Sequence, residues 1–238
     1  MSEYIIHSIF YKALSNANES SAEQYNILTK IINEIQLTHP LLNPWYINIE
    51  DIDLDDIENF KPPLEYLVPS DSARKYLLKS RNEEPFQAFL LWNGRIDNSE
   101  CVSISFSPTG LSFSFDEKFD TKIIIKLFEE ILKNLKCKYL FLSNSYFMDN
   151  RVFEHRQPVS SICYVPKMIN EKDIPHLYSK FDVSNNLNQG SILIFDQNLF
   201  DESEQMKRKI QENAIALVDL DLIPETELDS DFFNEVEI

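Results

Sequence analysis

An α+β fold is predicted, a largely antiparallel sheet with helices packed on it in a single domain, and three features of the sequence predict it. Short runs alternating apolar residues with serine are separated by turn residues, as in strands with one buried face. Around them lie segments whose apolar residues recur every three or four positions. No internal repeat, low-complexity linker or composition break divides the 238 residues, a length that can bury a sizeable core.

The elements follow in order. YIIHSIFY at 4–11 is β-branched and aromatic and reads as a strand. Ser20 and Ser21 can cap a helix over 22–37, whose packing stripe is Leu28, Ile31, Ile32 and Ile35, and Pro40 limits it. An irregular segment follows at 39–69, holding Trp45, Pro62 and Pro63. Ser70 and Asp71 open a short helix through Arg81. FQAFLLWNG at 86–94, CVSISFS at 101–107 and LSFSFD at 111–116 form a predicted meander, with turns at NGRIDN and PTG.

A helix at 119–135 carries Ile123, Leu127, Ile131 and Leu135 as a stripe, and Asp116 is placed to cap it. YLFLS at 139–143, SSICYVP at 160–166 and SILIFD at 191–196 read as strands. The last helix runs from Ser203, its cap, to Leu220, and Pro224 lies past its end; 226–238 is an acidic tail.

Charge is segregated. Residues 1–60 hold 10 acids and 2 bases, 61–200 hold 17 of each, and 201–238 hold 12 acids and 3 bases, so the whole net charge of −17 sits at the two ends. If those ends meet in the fold they build one negative face; if not, there are two patches. Such a chain suits basic partners and is a poor nucleic-acid binder, because phosphate attraction needs Lys and Arg. The apolar runs are too short to span a membrane, and no signal pattern opens the chain, which predicts a cytoplasmic protein. Cys101, Cys137 and Cys163 are odd in number and widely spaced, as reduced core thiols would be.

The densest acidic run is EDIDLDDIE, in which Glu50, Asp51, Asp53, Asp55, Asp56 and Glu58 are interleaved with Ile52, Leu54 and Ile57. As an EF-hand loop it fails, because Asp56 and Pro62 stand where Gly and Glu are required. It reads either as a solvated face or as a surface for a basic partner, with Trp45, Tyr46 and Phe60 as flanking anchor candidates, of which Trp45 and Phe60 also read as core or loop-pinning residues. Asp219 and Asp221 lie near a helix C-terminus, where the dipole disfavours acids, and join the candidate contact set.

Catalytic motifs are scarce. With three glycines, neither GxGxxG, GxxxxGK[ST] nor GxSxG can be written, and His7, His39, His155 and His176 have no ligand spacing, so no cofactor or metal is expected. One enzyme alternative is a metal-dependent nuclease-like centre on Asp97, Asp116 and Lys118.

The last third carries a resemblance. RVFEHRQPVSSICYVPKMI at 151–169, QGSILIFDQNLFD at 189–201 and IQENAIALVDLDLIPE at 210–225 resemble the closing segment of the immunity protein 52 family of bacterial polymorphic-toxin systems. The matching positions are Tyr164, Pro166, Gly190, Asn213, Ala214, Asp219, Asp221, Leu222 and Pro224; Ser160 and Ser161 depart from the family's Gly-Trp. The resemblance implies an antitoxin of α+β fold, without catalysis of its own. Such a protein would neutralise a cognate basic toxin, similar to restriction-endonuclease-fold nucleases and encoded by a neighbouring gene.

Overall fold

The computed structural model describes residues 3–11, 20–48, 61–97, 99–116 and 119–226. In chain order these form β1 (Tyr4–Phe10), α1 (Ser21–Ile35), β2 (Trp45–Ile47), β3 (Leu67–Val68), α2 (Asp71–Glu83), β4 (Phe89–Trp92), β5 (Val102–Phe106) and β6 (Gly110–Phe115). Then come α3 (Thr121–Asn134), β7 (Cys137–Ser143), α4 (Ser145–Asp149), β8 (Ile162–Val165), β9 (Ser179–Ser184), β10 (Gln189–Ile194) and α5 (Glu204–Asp219). All ten strands join one sheet in the order β3-β2-β4-β5-β6-β1-β7-β8-β10-β9, and every pairing is antiparallel. The α+β class read from the sequence is the observed one.

Helix starts follow side-chain chemistry. Ser20 and Glu23 form a reciprocal capping box at α1, satisfying otherwise orphaned N–H groups. Ser70 caps α2 and Ser203 caps α5 in the same way, by accepting from the N–H three residues on. Asp120 caps α3 through Lys122 N–H; Asp116 does not, because it stands at the end of β6, too far upstream.

The sheet's pleat divides the core. One face meets α1, α2 and α3 through Leu28, Ile31, Leu77, Ile124, Leu127 and Phe128, opposed by Ile6, Leu91, Ile104, Phe113 and Leu142. The other face, on the β7-β8-β10 side, meets α5 through Tyr139, Phe141, Cys163, Val165 and Leu193 against Ala214, Leu217 and Leu222. Each fully buried Leu, Ile or Phe contributes about 1.5–3 kcal/mol. Arg81 of α2 is buried beneath the first face: its guanidinium lies 4.1 Å from the Phe89 ring centroid, donates to Phe106 O at 2.9 Å and reaches Gln24 of α1. That one side chain ties two helices to two strands.

Four elements depart from the sequence reading. The span 39–69, expected to be irregular, contributes β2 and β3 to the sheet, with Trp45 opposite Val68. The short helix α4 and the strand β9 were also not anticipated. Residues 49–60, including the acidic run and Phe60, and the tail beyond 226 lie outside the described residues.

Candidate interaction surface

Trp45 is 1% exposed and meets Phe113 edge to face at 5.9 Å. It is a core residue of β2, so it leaves the candidate contact set. Its neighbour Tyr46 faces the opposite way and packs over a turn. Gly94 holds a left-handed φ of 76°, and a Cβ built there would lie 2.9 Å from Tyr46 Cε2 and 3.0 Å from Pro62 Cγ. On the other side of the acidic run, Asn48 N–H donates to Leu90 O at 2.9 Å. The run therefore leaves and rejoins described structure beside β2 and β4. Glu50, Asp51, Asp53, Asp55, Asp56 and Glu58 themselves fall outside the described residues.

Asp219 and Asp221 lie elsewhere. Asp219 is the exposed last residue of α5, and Asp221 follows with φ 57° and a side chain 95% exposed. Asp221 N–H donates to Val218 O and Leu222 N–H to Leu217 O, each at 2.9 Å, while Leu217 and Leu222 share the same apolar cluster. Those two bonds and that contact are the Schellman closure of a helix, whose left-handed position Asp tolerates better than most residues. The helix end is not left purely acidic, since Arg156 approaches Asp221 at 3.9 Å and Glu225 at 3.6 Å and donates to Ile223 O at 2.6 Å. Beside them opens a cleft of about 380 Å³ lined by Tyr11, Lys138, Arg156, Asp221, Pro224 and Glu225.

The described residues that flank the acidic run lie away from Asp219 and Asp221. β2 stands four positions from β1, roughly 19 Å at the usual strand spacing, and α5 packs beyond β1 on β7, β8 and β10. β1 itself touches the C-terminal part at both ends: Tyr4 Oη donates to Glu202 at 2.8 Å, and Tyr11 lines the cleft with Asp221. Asn48 and Pro62, the described residues on either side of the run, contact the far flank at Leu90 and Gly94.

Several positions in the resemblance have structural roles that the sequence did not reveal. A Cβ on Gly190 would lie 2.1 Å from Val165 O, so only glycine lets β10 lie this close to β8. Asn213, fully buried, accepts from His176 N–H and donates to His176 O, both at 2.9 Å, stapling the segment before β9 to α5. Ser160 and Ser161 are buried and satisfied by Ile162 O and by Leu199 O.

Of the residues of the enzyme alternative, Asp97 and Asp116 are described. Asp97 Oδ1 accepts from Ser99 Oγ at 2.7 Å and Ser99 N–H at 2.9 Å, bonds that hold its carboxyl below the usual carboxylate range. Asp116 lies beside Cys101, and Lys118 lies outside the described residues. Among the described residues no group of three or more His, Cys, Asp or Glu is placed to hold a metal. Burial pushes the Cys163 thiol up to about 12 and raises Cys137 as well, so neither is a thiolate at neutral pH. Cys101 is partly exposed, and its thiol is raised by burial and by Asp116. His39 is structural: its Nδ1 accepts from Leu41 N–H. Among the described residues no helix is long and apolar enough to cross a membrane. No family model matches the chain, and no curated protein matches it.

Proposed function

We propose that this protein is an immunity protein that binds and neutralises a basic toxin, a nuclease of restriction-endonuclease-like fold, by covering it with acidic surface. The observation that carries the reading is the segregation of charge: −8 over residues 1–60, zero over 61–200 and −9 over 201–238. A nuclease presents a basic groove to its substrate, and a concentrated negative surface can fill that groove and steer the encounter. The resemblance to the immunity protein 52 family supports the same reading. Its positions Tyr164, Gly190, Asn213, Leu222 and Pro224 belong to the flank on which α5 packs, so they build the scaffold, and recognition falls to exposed acids. The partner is the product of a neighbouring gene, and no catalysis by this chain is required.

The test is co-expression with that neighbouring product, followed by pull-down and association kinetics across a salt series. Rescue of growth and a complex whose on-rate falls with salt are expected. Reversing Asp53, Asp55 and Asp56 to Lys should slow association most at low salt. A harmless neighbour, together with a nuclease activity of this chain that is lost in Asp116→Ala, would overturn the reading.

A further inference from the structure

The sheet ends differently at its two sides. β3, at one edge, is two residues long, whereas β9, at the other, is six and has no described strand beyond it. A long unpaired edge is a template for another strand unless something blunts it.

The outward-facing backbone groups can be identified. Phe195 N–H donates to Ser161 O on the β8 side, and Asn185 N–H donates to Asn188 O across the β9–β10 turn. Backbone direction alternates along an antiparallel ladder, so Ser179, Phe181 and Val183 bond inward to Ile194, Ile192 and Gly190. Lys180 and Asp182 then turn their N–H and C=O groups to the open edge. Their side chains share one face and are fixed there: Lys180 Nζ lies 2.9 Å from Ile169 O and 3.1 Å from Asp182, which accepts from Ser191 Oγ at 3.0 Å. Phe181 points to the other face and is 43% exposed.

We infer that β9 pairs antiparallel with β9 of a second copy, joining two ten-stranded sheets across a two-fold axis at Phe181. Charge complementarity selects both the occupant and the register. Centring the axis on Lys180 sets lysine against lysine, and centring it on Asp182 sets aspartate against aspartate. Centring it on Phe181 sets Lys180 opposite the second copy's Asp182, twice by symmetry. In that register Lys180 and Asp182 exchange their outward backbone bonds, four in all. The two Phe181 side chains meet at the non-hydrogen-bonded pair, where side chains lie closest. A charged edge of one sign would repel a second copy; this one is its own complement.

Sedimentation velocity on the full chain tests the inference, with circular dichroism confirming that each variant stays folded. The native chain should show concentration-dependent dimers. Lys180→Glu and Asp182→Lys each place like charges opposite one another and should weaken the dimer roughly tenfold. Mixed in equal amounts, the two variants restore complementary pairs, and the heterodimer should recover native affinity. A native chain that is monomeric at every soluble concentration overturns the inference, as does a mixture no tighter than its components. A monomer whose Lys180 and Asp182 amides become protected from exchange only with a different protein also overturns it, and gives the edge to that partner. None of these outcomes depends on whether a toxin is bound elsewhere.

Discussion

On the flank of the sheet formed by β2, β4, β5 and β6, helices cover one face, and the other carries Ser103, Ser105, Ser112 and Ser114, all partly exposed. On the flank formed by β7, β8 and β10, both faces are buried, by α1–α3 side chains on one side and by α5 on the other. The difference is written in the strands: VSISF and GLSFSF alternate, whereas CKYLFLS and ICYV are nearly continuous apolar runs. One flank keeps solvent-facing surface, and the other gives most of its surface to packing. On the packed flank, the surfaces open to a partner include the end of α5 and the β9 edge.

The largest effect should expose this asymmetry directly. Leu193 in β10 is fully buried between strand and α5, and Leu193→Ala should cost about 3 kcal/mol through lost burial and a residual cavity. Ser105→Ala on the serine face should change stability by less than about 0.5 kcal/mol. Urea denaturation of both variants checks the pair; equal effects would mean the serine face is as tightly packed as the α5 face.

Next in size is Asn213→Ala. It removes a fully buried side chain and leaves the part-buried N–H and C=O of His176 without their 2.9 Å partners, and should cost about 2 kcal/mol. Because Asn213 joins α5 to the segment leading into β9, the loss should appear first as faster amide exchange in β9 and should leave β2–β6 unchanged.

Legibility in the sequence followed the same division. Strands of either kind were readable wherever five or more residues kept a pattern, and helices α1, α2 and α5 were readable from serine caps that the structure uses. What escaped was short or half-polar. β2 and β3 have three and two residues, too few for any period, and α4 is a single turn after Asn144. SKFDVS carries no strand signal because an edge strand places Ser, Lys and Asp where an interior strand would place apolar residues. Of the candidate contacts, Trp45 was readable only as one of two possibilities, core or anchor, and its burial against Phe113 decides for core. Asp221 looked like a conflict with the helix dipole. The missing information was its left-handed backbone and Arg156, 65 residues upstream and adjacent only through the fold.

A smaller effect separates structure from recognition at that position. Asp221→Gly relieves the left-handed backbone at the cost of a weak, largely exposed ion pair, and should raise stability by roughly 0.5 kcal/mol; Asp221→Val should lower it by about 1 kcal/mol. If Asp221 also contacts the toxin, Asp221→Gly should bind more weakly while melting higher. Binding and melting that move together would assign the residue to the fold alone.

The smallest effect lies on β1, where the flanks meet. His7 stacks on Phe141 at 5.2 Å and lies 3.3 Å from Ser112, so it touches one strand of each flank. Burial holds its pKa below the ordinary histidine value, which means the folded protein favours the neutral ring. The unfolded chain therefore binds the proton more readily. Stability from this site is complete above about pH 6.5 and declines as pH falls from there through the lowered folded value. His7→Gln should flatten the stability profile between about pH 6.5 and 5, a window above the ordinary carboxylate range. If the flanks unfold as one unit, the native profile shows that slope in probes of both. If only Phe141 and its neighbours respond, β1 is the seam at which the packed flank can loosen while the serine-faced flank stays folded.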